Sequence, residues 1–352
     1  MSFGCGPQNN AQSNPDDVVP PANGTPPTKG APIVKAESTY PVLSDIDVEY
    51  ADGLIHDNDS TSPFAAPQKM DVYYPENDDT NRPVYMFIHG GGFKSGTKKK
   101  PEIIDTANYF TSRGWVFVSI DYRASEDLGV IRGKTPSEVV EYYKGIAPKE
   151  WVEYTLQEAE SPDDVQVSTA MYAAQRDAKA ALRWIVANAD SYNINPDYIT
   201  VGGASAGSIT TLALGISDNE DFRDEISMSD DPTLATTNLD QSYVVKSLVY
   251  YWGSPVKLNL YEAIYGKNNY DSNDPELFMG HGTAPDPVTP YEGALALQDI
   301  YSSTGVYSEL KTLVQPDGNP AGHGAWNAQV DGKGLPELSF DFLVARQNLV
   351  VQ

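Results

Sequence analysis

What most constrains this chain is its alternation of short β-rich runs with a helical stripe. Residues 46–50, 70–74, 84–89, 115–121, 198–202, 244–251, 277–281 and 310–314 read as strands, the first two as an antiparallel pair. Between the fourth and fifth, Met171, Ala174, Ala178, Ala181, Leu182, Ile185 and Val186 recur at helical spacing, which predicts a core-facing helix over 171–189. Strands that alternate with helices assemble into a mostly parallel sheet covered on both faces, so the expectation is an α/β fold with eight strands flanked by helices.

A hydrophobic fraction of 40% over 352 residues is enough for a sizeable core. No apolar run approaches the roughly 18 residues of a membrane span, so none is expected. Acidic residues outnumber basic ones 49 to 24, for a formal charge of −25, which disfavours nucleic acid or anionic lipid as a partner for a broad basic face. Such an excess suits salty surroundings, or simply a well-solvated surface.

Residues 1–38 carry seven prolines among Asn, Gln, Ser, Thr and Gly, too little apolar surface to offset the entropy of ordering. They are expected to be a flexible tether ahead of a single domain over 39–352. The one cysteine, Cys5, rules out an internal disulfide. Ser2-Phe3-Gly4-Cys5 before this polar stretch resembles the cleavage box of bacterial lipoproteins, although Ser2 and Phe3 are unusual in it. That resemblance implies export with a lipid anchor at Cys5; a chance cysteine, and a cytoplasmic location, stay open. Residues 124–170 and 217–243 exceed what a sheet connection needs, and insertions of that size are usually functional or mobile. The first, with Tyr142, Tyr143, Trp151 and Tyr154, is expected to form a small helical cap or lid.

Gly203-Ala204-Ser205-Ala206-Gly207 follows an expected strand and precedes the apolar pattern Ile209, Leu212, Leu214. Small residues around the serine permit a sharp strand-to-helix turn that exposes Oγ at a helix N-terminus. By composition this pentapeptide arises in about one chain in ten of this length, whereas His89-Gly90-Gly91-Gly92 arises in on the order of a few per thousand. Bare backbone amides at glycines can approach an oxyanion closely, which nominates Gly91 and Gly92 with the amide of Ala206; His89 is expected to buttress that loop. A serine nucleophile needs a base, and the base needs a carboxylate. Of four histidines, His56 precedes the sheet, His89 belongs to the glycine loop and His281 ends a strand. His323, in Gly322-His323-Gly324 after the last expected strand, is the candidate base. Asp286 is the sole acid between Glu276 and Glu292, so Ser205, Asp286 and His323 follow one another in the order found in α/β-hydrolases. No Cys/His cluster or phosphate-binding loop calls for a metal or cofactor. Lys94, Lys98, Lys99 and Lys100 read as a solvated loop face, or as an attractor for an anionic substrate group.

Beyond these single motifs, the chain from about Met70 onward resembles the carboxylesterase and lipase branch of the α/β-hydrolases, with its hormone-sensitive-lipase-like and related bacterial esterases. The resemblance rests on Asp71-Val72-Tyr73-Tyr74-Pro75, His89-Gly90-Gly91-Gly92-Phe93, Ser119-Ile120-Asp121-Tyr122-Arg123, Asp177 with Ala181-Leu182-Arg183-Trp184, and Asn195-Pro196-Asp197. It continues through the serine elbow, His281-Gly282-Thr283 and Gly322-His323-Gly324, with Pro285 as an extra residue before the acid. It implies a serine carboxylesterase for short-acyl esters, with triad Ser205, Asp286 and His323. An acetyl or feruloyl esterase of polysaccharide, a serine peptidase or amidase of the same fold, and a non-catalytic binding protein stay as alternatives. For the first of these, the cap aromatics or Tyr250-Tyr251-Trp252 could stack on substrate, or could equally be core. Oligomeric state is not legible.

Overall fold

Strand β3, Arg82–Ile88, lies at the centre because every one of its side chains is buried, and with Val116–Ile120 (β4) it reads as the continuous apolar run of a strand covered on both faces. The computed structural model describes residues 30–57, 60–218, 221, 226–266 and 269–352. Among them, eight strands form the main sheet: Val42–Ile55 (β1), Phe64–Pro75 (β2), β3, β4, Ile194–Ala204 (β5), Val245–Tyr251 (β6), Glu276–Gly282 (β7) and Ser308–Leu313 (β8). Their order is β1-β2-β4-β3-β5-β6-β7-β8. Both β1 and β4 pair with β2 antiparallel, and every pairing from β4 to β8 is parallel. This is the mostly parallel eight-stranded α/β sheet expected from the sequence, with longer outer strands.

Side chains alternate across the sheet. Val84, Met86 and Ile88 of β3 join one apolar cluster, under helices α4 (Pro162–Ala187) and α5 (Ala206–Ile216). Tyr85 and Phe87 join the other, under α1 (Pro101–Thr111) and α6 (Leu335–Gln347). In the second, Phe110 meets Tyr85 and Trp115 edge-on at 4.9 and 5.3 Å, and full burial of such a ring contributes about 1.5–3 kcal/mol.

Helix α4 begins nine residues before the expected position. Ser161 caps it, its Oγ accepting from the Asp164 amide, and Pro162 stands in the first turn. The insertion at 124–170 therefore contains α2 (Pro136–Tyr142), α3 (Lys149–Glu158) and the opening turns of α4. Trp151 Nε1 donates to Ser168 O at 2.9 Å and its ring meets Tyr172 edge-on at 5.2 Å, which fastens α3 to α4. His56 stacks on Tyr142 at 3.7 Å with Nε2 2.6 Å from Tyr142 O, which ties α2 to the end of β1. Of the cap aromatics, Tyr142, Tyr143 and Trp151 are core.

A buried ion network joins β1, the β4 exit, α4 and the second insertion. The Arg123 guanidinium grips both oxygens of Asp177 at 2.8 and 2.9 Å and donates to Leu54 O, while Arg176 reaches Asp52 O, Asp177 and Asp231. Burial opposes the Asp177 charge, but the two arginines more than offset it and hold its carboxyl below the usual range. Asp231 and Thr233 make the second insertion, where described, a buttress.

Residues 31–38 differ from expectation. Ile33–Val34 pairs parallel with Val350–Val351 and Val34 is fully buried, so this segment packs as part of the body. Cys5 and the other residues of 1–29 lie outside the described residues. No helix among the described residues is long and apolar enough to cross a membrane.

Candidate active site

Loops at the C-terminal ends of parallel strands converge on one edge of the sheet, the place where open α/β sheets take their ligands. Ser205 lies between β5 and α5 with φ 55° and ψ −120°, a backbone conformation that costs on the order of 1–3 kcal/mol and persists only where its surroundings enforce it. They do: its amide donates to Tyr251 O at 2.9 Å, and the Ser208 hydroxyl donates to Tyr251 O and Gly203 O. The flanking glycines are required by close packing, since a Cβ on Gly203 or Gly207 would run into the turn itself or the end of β3.

His323 comes from the loop after β8, and its Nε2 lies 3.0 Å from Ser205 Oγ. Its Nδ1 lies 2.8 Å from Asp286 Oδ2, in the loop after β7. The three predicted residues thus form one hydrogen-bonded series, and the extra Pro285 does not displace the acid. Burial raises the Asp286 pKa, but bonds from the Thr289 hydroxyl, the amides of Val288 and Thr289, and His323 outweigh it and hold the pKa at about 2. Thr289, which the sequence reading passed over, lies within reach of both partners, its Oγ1 2.6 Å from Asp286 Oδ2 and 2.9 Å from His323 Nδ1.

The glycine loop leaves β3 against the elbow. Gly90 lies so close that a Cβ there would stand 2.6 Å from Ala204 O and 3.0 Å from Ser205 Cβ. Gly91 and Gly92 have φ of 155° and 64°, and no acceptor among the described residues takes their amides. Ala206 opens α5, where the first amides have no partner inside the helix. All three line the same cavity as Ser205 and His323, so the arrangement offers a nucleophile, a base and three donors for a developing oxyanion.

His89 supports the loop as expected. It is 1% exposed, stacks on Tyr122 at 4.4 Å, and its Nδ1 donates to Gly90 O at 3.0 Å. Burial drives its pKa down to about 4, so the ring is neutral at ordinary pH. His56 and His281 are likewise buried, away from Ser205. Lys94 and Lys99 are exposed, as a solvated face requires, but Lys98 departs from it. Lys98 is 2% exposed and pairs with Asp47 at 2.6 Å, Asp121 at 3.0 Å and Asp71 at 3.5 Å. Burial works against its charge, but these carboxylates raise its pKa above the ordinary value. Lys100 donates to Gly90 O at 2.9 Å, and both it and Lys94 line the cavity.

The cavity measures about 1110 Å³. Val167, Met171, Ile209, Leu260 and Ala263 give it an apolar wall, with Tyr154 from α3. Near His323 lie Trp252 and Trp326, edge to face at 5.1 Å. Trp252 has φ 36°, an outlier for so bulky a residue, and turns the chain out of β6 beside the elbow; Tyr250 and Tyr251 are core. Among the described residues no cluster of His, Cys, Asp or Glu is placed to hold a metal.

Residues 70–139 and 163–282 match the model of the BD-FAE family, more than half of the chain. The chain belongs to the BD-FAE family. The BD-FAE match takes in the glycine loop and the elbow and ends before Asp286 and His323. Over 145 residues this BD-FAE member is 24% identical to the para-nitrobenzyl esterase of Bacillus subtilis strain 168, a match covering 41% of this chain and 23% of that one. The chain thus spans less than a quarter of the length of that curated relative. Esterase 2 of Thermogutta terrifontis, phosphorylated by paraoxon, has a TM-score of 0.53 at 19% identity, over 86% of this chain and 94% of that one. A butyrate-bound Est2 of the same species gives 0.52 at 17%, over 80% and 90%. At these identities the likeness shows the fold, and that fold is the α/β-hydrolase fold.

Proposed function

We propose that the chain is a serine carboxylesterase of the glycine-loop branch of this fold. The observation that carries the reading is the unbroken series from Ser205 Oγ through the His323 ring to Asp286, beside glycine amides that no acceptor among the described residues takes. His323 takes the proton as Oγ attacks the ester carbonyl, and the oxyanion rests on the amides of Gly91, Gly92 and Ala206. The same imidazole protonates the departing alcohol. Water, deprotonated in turn, attacks the acyl-serine and releases the acid. A short acyl group sits on the apolar wall of Val167, Met171 and Ile209, and the alcohol lies towards His323 and Trp326. The names of the relatives, a para-nitrobenzyl esterase and a butyrate-bound esterase, support ester hydrolysis as the reaction class. The lipoprotein-like box at Cys5 supports export with a lipid anchor, for which metabolic labelling with a fatty acid in the native host is the check.

Hydrolysis of p-nitrophenyl butyrate tests the reading. Ser205→Ala should lower kcat by on the order of a millionfold and keep the thermal transition within a few degrees. Labelling by a fluorophosphonate should vanish with it. A variant that keeps substantial activity sinks the assignment of the nucleophile. A wild type that resists the probe and all esters points to a non-catalytic binding protein. Peptide amides, acetylated xylan and methyl ferulate, run in parallel, sort the substrate class.

A further inference from the structure

The Asp286 carboxylate has its acceptor sites filled. Oδ1 takes the amides of Val288 and Thr289 at 2.8 and 3.1 Å, and Oδ2 lies 2.6 Å from the Thr289 hydroxyl and 2.8 Å from His323 Nδ1. Each oxygen therefore has two partners, which is what an ionised carboxylate accommodates without crowding. Thr289 is also 2.9 Å from His323 Nδ1 and is 2% exposed, so water does not compete for its one hydroxyl proton. The proton can go to only one neighbour. Directed to the carboxylate, it leaves the hydroxyl oxygen able to accept from Nδ1, so Nδ1 must carry a proton and share it between Asp286 and Thr289. Nε2 is then bare, and it faces Ser205 Oγ. The opposite tautomer would set the lone pair of Nδ1 against a carboxylate oxygen, an arrangement that the hydroxyl could relieve only by abandoning Asp286.

We propose that Thr289 is a fourth, positioning member of the relay, which fixes the carboxylate of Asp286 and locks His323 in the tautomer whose Nε2 can accept the serine proton. The inference rests on the serine esterase reading and adds to it a residue that acts through Asp286 and His323. The depressed pKa of Asp286, in which the Thr289 hydroxyl is the largest of the lowering contributions, agrees with it. Valine has the shape of threonine without the hydroxyl, so Thr289→Val removes both contacts and little packing.

The test measures Thr289→Val, Thr289→Ala and Thr289→Ser on p-nitrophenyl butyrate, each also in an Asp286→Asn background, with the thermal transition as a check on folding. Loss of a hydrogen bond to a charged group corresponds to about a tenfold or greater fall in kcat for the valine and alanine variants, with KM within about twofold. Thr289→Ser, which keeps the hydroxyl, should recover most of the rate. In the Asp286→Asn background the valine change should cost little more, because its effect passes through the carboxylate. A Thr289→Val enzyme as fast as wild type overturns the inference, and so does an equal fold-loss with and without the Asp286 carboxylate. If wild type neither hydrolyses esters nor takes the fluorophosphonate, the esterase reading itself falls and this inference with it; an active wild type with an indifferent Thr289 sinks the inference alone.

Discussion

At Gly90, one missing side chain decides how closely two loops can meet. A methyl there would press on Ala204 O and Ser205 Cβ, moving Ser205 relative to the amides of Gly91 and Gly92. Displacements near 1 Å can cost roughly 100-fold in rate, so Gly90→Ala should lose about that much kcat, and its thermal transition should fall as well because a backbone oxygen has to give way, at about 1–3 kcal/mol. Gly92 lies in open space with φ 64°, so alanine there meets only the left-handed backbone penalty, about 1–2 kcal/mol. A Gly90→Ala enzyme of undiminished rate would mean that the loop has slack the packing does not suggest. His89, one residue earlier, is held neutral by burial and belongs to the support of this turn.

Among the elements, α4 carries the heaviest internal load, because Asp177 on its buried face holds Arg123 while Arg176 holds Asp231. Asp177→Asn leaves a buried guanidinium short of countercharge, and breaking such a pair costs about 3–5 kcal/mol. A drop of that size in denaturant-derived stability is expected, and a change under about 1 kcal/mol would contradict it. The elements also show what a sequence can reveal. The strands β3 and β4 were legible because both faces are covered and their side chains are uniformly apolar. The elbow and the glycine loop were legible because glycine at those positions is a steric requirement. The opening turns of α4 were not, because Val165 and Val167 stand among Asp163, Asp164, Gln166, Ser168 and Thr169 and make no helical stripe; the Ser161-Pro162 start signal was present all the same. The roles of Thr289 and Lys98 were not legible for a different reason. Their roles depend on partners from other loops, Asp286 with His323 and Asp47 with Asp121, which no local pattern announces.

For the whole molecule, pH dependence is set by groups that folding moves off their ordinary values. Burial raises the Asp274 pKa to about 7, and the nearby Asp271 charge adds to this, while the Asp271 amide works against it. The neutral acid is therefore the form that the fold prefers. Its contribution is fully present below the ordinary carboxylate value of 3.8 and is lost as pH rises through about 7. Asp274→Asn, permanently neutral, should gain thermal stability over wild type as pH goes from 5 to 8, and a constant difference across that range would refute the cause assigned. Asp286 behaves oppositely: held at about 2, it stays ionised until the medium is strongly acid, so the relay keeps its carboxylate charge across the neutral range. Part of the cavity wall, from Asp164 to Met171, is carried by a helix that continues without a break into the core and to which α3 is fastened through Trp151. A wall anchored in this way is tied to the core behind it. On the esterase reading proposed above, a wall so fixed predicts hydrolysis that rises smoothly with dissolved ester, with no jump in rate once the ester passes its solubility limit and forms droplets.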